Sequence, residues 1–222
     1  NLLKTINFQA VFKLFDFSLK INGFPIDKAR LEFDNILEIP EANYESYILG
    51  RRKQIVDYHL KNNSFYRQLA LGKTSEDWNA LPVLTKKELQ QPLDLRLSQG
   101  FTVKNVFVNK TSGSSGDPFI FAKDNYSHAM TWASNIYRFG GYGIDFNSSY
   151  QARFYGIPLD FIGNKKERLK DFLGHRFRFP IFDLSDPVLE KFLGHFKRKK
   201  FDYINGYTSS IVLFAKYLEH KN

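Results

Sequence analysis

Lys110-Thr111-Ser112-Gly113-Ser114-Ser115-Gly116-Asp117-Pro118 is the stretch on which the fold assignment turns. Thr111 to Gly116 supply four hydroxyls and two glycines in six residues. Side-chain O–H and backbone N–H groups at this density suit an anion, because glycine lets the backbone take φ > 0 and curl into a nest. A plain hairpin turn draws on the same residue types, and on composition alone it would be preferred. The flanks add information. Val106 and Val108 recur with a period of two before the loop, and Phe119 and Phe121 do so after it. Two neighbouring antiparallel strands are therefore expected around the loop. A Walker A loop needs Lys-Ser/Thr after its second glycine and then a helix; here Asp117-Pro118 follows. The fingerprint Gly-x-Gly-x-x-Gly is absent, and Gly113-Ser114-Ser115-Gly116 has the wrong spacing for a nucleophile elbow.

Downstream of the loop, strand and helix patterns alternate. A helix is expected over 125–139, ending at Gly140-Gly141. Strands follow near 151–155, 177–182 and 201–204, with helices near 166–173, from Pro187, and over 209–220. Ser185 is the expected N-cap of the helix from Pro187, whose apolar stripe is Leu189, Phe192, Leu193 and Phe196. Alternation of this kind argues for an α/β layer structure. Upstream the patterns are helical. Residues 45–62 read as a basic amphipathic helix burying Tyr47, Ile48, Ile55, Tyr58 and His59, stopped by Asn62-Asn63-Ser64. A short helical piece follows around 66–71, and Thr85 with Glu88 has the spacing of a capping box. Phe8, Val11, Phe12, Phe15 and Leu19 recur at helical spacing near the start. The expected organisation is a mostly helical region over 1–95 and an α/β portion over 96–222.

The 222 residues include 23 Phe, 12 Tyr and 2 Trp, too many aromatics for a chain that stays disordered. Zero cysteine excludes disulfide scaffolds, thiolate metal sites and cysteine nucleophiles. No span is apolar enough to cross a membrane and no signal peptide is evident, so a cytoplasmic protein is expected. His59, His128, His175, His195 and His220 are scattered, with no helical pair at i, i+4, and no protein-held metal is expected. The net charge is +9, and residues 165–200 hold eleven Lys/Arg against five Asp/Glu. Its steepest piece, Lys197-Arg198-Lys199-Lys200, reads as the last turn of a helix, where cations offset the dipole. A nucleic-acid partner is not favoured, since no RNA-binding aromatic signature or zinc-finger spacing accompanies it.

Thr111 to Pro118 also resembles the signature of the adenylate-forming enzymes, Thr-Ser-Gly-[Ser/Thr]-[Ser/Thr]-Gly-x-Pro, and matches every fixed position. Phe119 stands where a lysine usually follows, a departure seen in the phenylacetate–coenzyme A ligase branch with its bacterial capsular-polysaccharide-biosynthesis members. Three further segments resemble that branch: Asn63-Ser64-Phe65-Tyr66-Arg67, the connector from Leu81 to Leu89, and Asp202 to Ser210 around Gly206-Tyr207-Thr208-Ser209. The resemblance covers nearly the whole chain. It implies the N-terminal part of the large domain of such a ligase, with a mixed sheet flanked by helices and a helical N-terminal region.

The implied reaction joins a small carboxylic acid to ATP, giving an acyl adenylate, and then to coenzyme A, with Mg²⁺ as the implied ion. The resemblance makes Thr111, Ser112, Gly113, Ser114, Ser115 and Gly116 the phosphate-binding loop, and puts Gly206, Tyr207 and Ser209 nearer the acyl pocket. The family's adenine, ribose and carboxylate-lysine motifs have no counterpart before Asn222, so the catalytic residues are expected downstream and this chain alone is expected to be inactive. Two other readings stand beside it: a basic phosphate- or nucleic-acid-binding module using 165–200, and a non-catalytic interaction protein. The identity of the acid and the oligomeric state are not legible.

Overall fold

The computed structural model describes residues 13–111, 118–156 and 161–221. In chain order the elements are α1 (Leu14–Ile21), α2 (Ile26–Leu37), α3 (Glu41–Asn62), α4 (Ser64–Leu69), α5 (Leu93–Arg96), β1 (Phe107–Lys110), β2 (Ile120–Lys123), α6 (Asn125–Gly140), β3 (Gln151–Phe154), α7 (Phe161–Leu173), β4 (Arg176–Phe179), α8 (Asp186–Arg198), β5 (Tyr203–Gly206) and α9 (Thr208–Lys221). Two 3₁₀ segments, Ser75–Ala80 and Glu88–Gln90, lie between α4 and α5. The chain divides into two compact units, Gly23–Ser134 and Asn1–Asn22 with Asn135–Asn222.

The unit Gly23–Ser134 is helical with one hairpin. Ala29 of α2 and Ala129 and Ala133 of α6 are buried together, with Phe24, Phe33, Tyr126 and Met130 around them. Small side chains let the two helices approach closely. The 22-residue α3 begins at Glu41 behind Pro40, which supplies the extended backbone of a helix start. Its burial corrects the sequence reading. Val56 is the buried residue of α3, whereas Ile55 is 52% and Tyr58 40% exposed, and Tyr47, Ile48 and His59 are half-buried. The helix is covered along only part of its length, by side chains such as Trp78, which lies under Arg52 at 5.0 Å, and Tyr66, 5.8 Å from His59.

The caps of this unit are partly as expected. Asn63 caps α4 by accepting the Tyr66 N–H at 2.9 Å. The Glu88 carboxylate accepts the Thr85 N–H at 2.6 Å, one half of the expected box. A complete capping box forms instead at Thr74 and Asp77, ahead of Ser75–Ala80.

β1 and β2 pair antiparallel, as the alternation around the loop predicts, with Asn109 opposite Phe121 and Phe107 opposite Lys123. The inward face is the other one. Phe107 and Asn109 turn in, while Val108 is exposed. Phe107 wins the inside because its ring stacks on His128 at 3.7 Å and meets the edge of Phe24. A shift of one residue inverts a strand's faces.

The second unit is built on a parallel sheet of order β4-β3-β5. The strand directions expected of one mixed sheet are thus shared between two sheets among the described residues, an antiparallel pair and a parallel triplet. One face of the triplet packs on α8 and α9 through Ala152, Phe154, Phe179, Leu189, Phe192 and Phe214. Phe154 stacks on Phe179 at 4.9 Å, and Phe192 meets both rings edge-on. These offset and T-shaped contacts explain much of the phenylalanine content. The expected helix stripe Leu189, Phe192, Leu193 and Phe196 faces this core.

Several boundaries move for local reasons. β4 stops at Phe179 because Pro180 has no N–H for the ladder. β5 runs over Tyr203–Gly206 rather than 201–204, since Asp202 is engaged with Tyr150 by two hydrogen bonds of 2.6 and 2.9 Å. α7 starts at Phe161, five residues before the expected 166. Ser185 occupies the N-cap position of α8, yet its hydroxyl makes no cap bond. Asp183 accepts the Ser185 N–H at 2.9 Å instead. Near the start, Phe15 and Leu19 of α1 are buried as their spacing predicts; Phe8, Val11 and Phe12 lie outside the described residues.

Candidate functional site

The Gly/Ser loop connects β1 to β2 in a strand–loop–strand arrangement, not a strand–loop–helix one. Thr111 closes its neck. The Thr111 N–H donates to the Phe119 carbonyl at 2.9 Å, and the Phe119 N–H donates to the Thr111 hydroxyl oxygen at 2.9 Å. Ser112, Gly113, Ser114, Ser115 and Gly116 lie outside the described residues. Phe119 stacks against Phe121 at 5.6 Å. Arg96, from α5, places its guanidinium 5.6 Å over the Phe119 ring. It is held there by donating to the Ile120 carbonyl at 2.7 Å and the Gln91 carbonyl at 2.8 Å. Burial lowers its pKa from the ordinary arginine value. A cation thus sits at the neck although the residue after the Thr111–Pro118 motif is not lysine. Sequence reading missed Arg96, because no local pattern ties it to a strand 24 residues away.

Gly206 and Tyr207 belong to the other unit, at the carboxyl ends of its parallel strands. From β3 the chain winds through α7 to β4 on one side, then through α8 to β5 on the other side of β3. The winding therefore reverses between β3 and β5, the point at which open α/β sheets take ligands. Gly206 pairs with Phe154 there, and a Cβ on Gly206 would sit 2.1 Å from the Phe154 carbonyl oxygen. The Tyr207 N–H donates to that same carbonyl at 3.1 Å. Tyr155, leaving β3, brings its ring within 5.0 Å of Tyr207 and raises the Tyr207 pKa. Gly156 allows a second close approach: a Cβ there would meet Ile181 at 2.8 Å and Phe182 at 2.9 Å. Ser209, in the first turn of α9, is exposed; the neighbouring Ser210 is buried and donates its N–H to the Tyr207 carbonyl at 3.1 Å.

The opposite face of this sheet is polar. Arg153 of β3 lies between Arg178 of β4 and Asn205 of β5 in register, with Arg176 one step along β4. α7 sets Glu167 and Asp171 against Arg176 and Arg178. Burial alone would raise the Glu167 pKa, but hydrogen bonds from Lys170 and Arg178 outweigh it and hold the carboxyl below its ordinary value. None of these residues carries a motif, and sequence reading did not single them out. The signal available was the alternation Arg176-Phe177-Arg178-Phe179, one face apolar and the other basic.

The remaining sequence candidates divide cleanly. The basic run ends α8 as expected, with His195, Lys197 and Arg198 in its last turn. Lys199 lies over the rings of Tyr150 and Phe177, at 5.6 and 5.9 Å. His195 packs against Phe177 at 4.4 Å, and burial lowers its pKa. His128 is likewise lowered by burial, and its Nε2 accepts the Trp132 indole N–H at 3.1 Å. Among the described residues no group of three or more His, Cys, Asp or Glu side chains could hold a metal ion. No helix there is long and apolar enough to cross a membrane.

No protein-family profile and no curated protein sequence matches the chain. Solved structures do. The crystal structure of an open conformation of 2-hydroxyisobutyryl-CoA ligase, in complex with 2-HIB-AMP and CoA, superposes with a TM-score of 0.55 and 18% identity, over 82% of this chain and 45% of that one. The same ligase in the postadenylation state with 2-HIB-AMP matches at 0.55 and 18% over 82% and 40%. In the thioesterification state with 2-HIB-AMP and CoA it matches at 0.55 and 19% over 82% and 41%. The chain spans less than half the length of these ligases. Over 82% of its length it shares the α/β fold of part of that ligase.

Proposed function

We propose that the chain is the N-terminal part of an ATP-dependent, carboxylate-activating ligase that passes its acyl group to coenzyme A, in the phenylacetate–coenzyme A ligase and capsular-polysaccharide branch of the adenylate-forming enzymes. The helical 1–95 region and the α/β 96–222 portion then belong to one incomplete adenylation domain of a cytoplasmic protein. The observation that carries this reading is the Thr-Ser-Gly-Ser-Ser-Gly-Asp-Pro segment joining two antiparallel strands, in a chain whose fold matches a CoA ligase.

The substrate carboxylate attacks the α-phosphorus of ATP, the bond to the β-phosphate oxygen breaks, and pyrophosphate leaves with the electron pair. The thiol sulfur of coenzyme A then attacks the acyl carbon, AMP departs, and the thiol proton goes to solvent. In the first step the protein mainly orients groups and neutralises charge. The Thr111, Ser112, Ser114 and Ser115 hydroxyls with the Gly113 and Gly116 amides are the donors for the leaving pyrophosphate. Thr111 shapes the loop by closing its neck, and Arg96 adds positive charge beside it. Mg²⁺ supplies charge neutralisation when bound with ATP. Gly206, Tyr207 and Ser209 form part of the acyl pocket at the carboxyl ends of β3 and β5.

ATP–pyrophosphate exchange by the full-length protein with a panel of carboxylic acids tests the reading. Gly116→Val should cut exchange severely, because a β-branched side chain distorts an anion nest. Ser114→Ala should cut it by a smaller factor, since one charged hydrogen bond of about 1.5–3 kcal/mol is lost while neighbouring donors remain. Full exchange by Gly116→Val would remove the loop from phosphate binding.

A further inference from the structure

The polar face of the parallel sheet carries more cations than its carboxylates neutralise. Asp171 Oδ1 accepts from Arg176 Nε at 2.6 Å and from Arg178 Nη2 at 2.9 Å, and its Oδ2 accepts from Arg178 Nε at 2.9 Å. Glu167 Oε2 accepts from Arg178 Nη2 at 2.8 Å, and its Oε1 from Lys170 Nζ at 2.7 Å. Both carboxylates are therefore fully engaged by other residues. Arg153 has no ion-pair or hydrogen-bond partner among the described residues; its guanidinium lies 4.7 Å over the Tyr155 ring. Arg178 Nη1 is buried and has no hydrogen-bond partner either.

A guanidinium drawn out of water without a counter-charge is costly, and neighbouring like charges add to the cost. Burial, then Arg176 and Arg178, lower the Arg153 pKa, and the smaller opposing pulls of Asp171 and Tyr155 do not cancel them. Its position supplies the second argument. Arg153 stands one residue before the end of β3, beside the point where the winding reverses. Asn205, its exposed register partner on β5, places an amide on the same face. Tyr155 and the 45%-exposed Tyr207 flank the spot with aromatic rings.

We propose that Arg153 and Asn205 form an anion-binding site for the carboxylate or phosphate group of a small ligand. The guanidinium presents a planar fork of N–H donors and the amide adds another, a set matched to two oxygens of one anion. The Tyr155 and Tyr207 rings accommodate the apolar body to which that anion is attached. The site needs only residues of this unit; Tyr207 is shared with the acyl pocket proposed above, but the anion contacts, Arg153 and Asn205, do not depend on the adenylation reading.

Calorimetric titration of the full chain with succinate and, separately, inorganic phosphate at constant ionic strength tests this. Binding of at least one is expected, and which one binds assigns the ligand to the carboxylates or to the phosphates. Arg153→Met should weaken that binding about tenfold or more, and Asn205→Ala by a smaller factor. Replacing Lys197 and Lys199 by alanine should leave it unchanged. Arg153→Met should also melt no lower than the wild type without ligand, because it removes a charge that is only partly compensated and keeps the apolar stem. A structural arginine would show the reverse, a lower melting temperature with anion affinity intact. Should Arg153→Met fail to fold, that too overturns the site as described, and exposed Asn205→Ala still reads the anion contact. Absence of binding by both anions, or equal binding by wild type, Arg153→Met and Asn205→Ala, sinks the proposal.

Discussion

A hydrogen atom in place of a Cβ lets β5 lie against the end of β3. A methyl group on Gly206 would lie 2.1 Å from the Phe154 oxygen and 2.7 Å from the Phe154 carbonyl carbon. Backbone cannot yield as a side-chain tip can, so Gly206→Ala must push the two strands apart. The Tyr207 N–H bond to the same carbonyl would go with them. We expect Gly206→Ala to lower stability by at least about 1–3 kcal/mol, read from urea denaturation. Unchanged stability would leave the glycine to be explained by ligand approach alone. The sequence marked Gly206 only through its resemblance to a family segment. The packing reason depends on Phe154, 52 residues earlier, and no local pattern could reveal it.

α7 sets two carboxylates against β4. Glu167 and Asp171 are 17% and 14% exposed, and so are largely shielded from solvent while bonded to Arg176 and Arg178. Glu167 titrates below its ordinary 4.5 in the folded chain, and its contribution is therefore present above that pH and lost as pH falls through the folded value. Glu167→Gln should cost about 1–3 kcal/mol near neutral pH. The gap between variant and wild type should narrow as the medium is acidified below about 4.5. Denaturation curves across that range check it; a constant gap would mean that the carboxylate charge is not what stabilises α7. Helix positions such as α6, α8 and α9 were legible from their periodicity and end signals. The inward face of β1 was not, because two residues of alternation fit either face and the stack of Phe107 on His128 is a long-range choice.

The chain matches the ligase structures over 40–45% of their length, and on the proposed reading that share sets what it can do alone. It contains a segment that resembles the adenylate-forming enzymes' phosphate-loop signature, but none that resembles their adenine, ribose or carboxylate-lysine motifs. We therefore expect residues 1–222 by themselves to show no ATP–pyrophosphate exchange under conditions in which the full-length protein does. Robust exchange by the chain alone would mean that the division of labour along the polypeptide has been drawn wrongly. The basic module reading makes a contrasting forecast, binding to polyphosphate backbones that weakens steeply with salt and ignores the nucleobase. Lys199 lying on two aromatic rings at the end of α8 argues against it.

What the sequence determined by itself follows from local chemistry. Alternation specifies strands, a 3.6-residue stripe specifies helices, and glycine, proline and short polar residues punctuate them. The strand–loop–strand setting of Thr111 to Pro118, and hence its separation from helix-capped phosphate loops, came from the same signals. Tertiary structure alone decided which strands share a sheet, which face of β1 turns inward, and why Gly206 meets Phe154. It also decided that Arg176 and Arg178 converge on two carboxylates from α7 while Arg153, beside them on the sheet, does not pair with either. Those outcomes rest on contacts between residues distant along the chain, where side-chain volume and charge balance, rather than local propensity, set the lowest free energy.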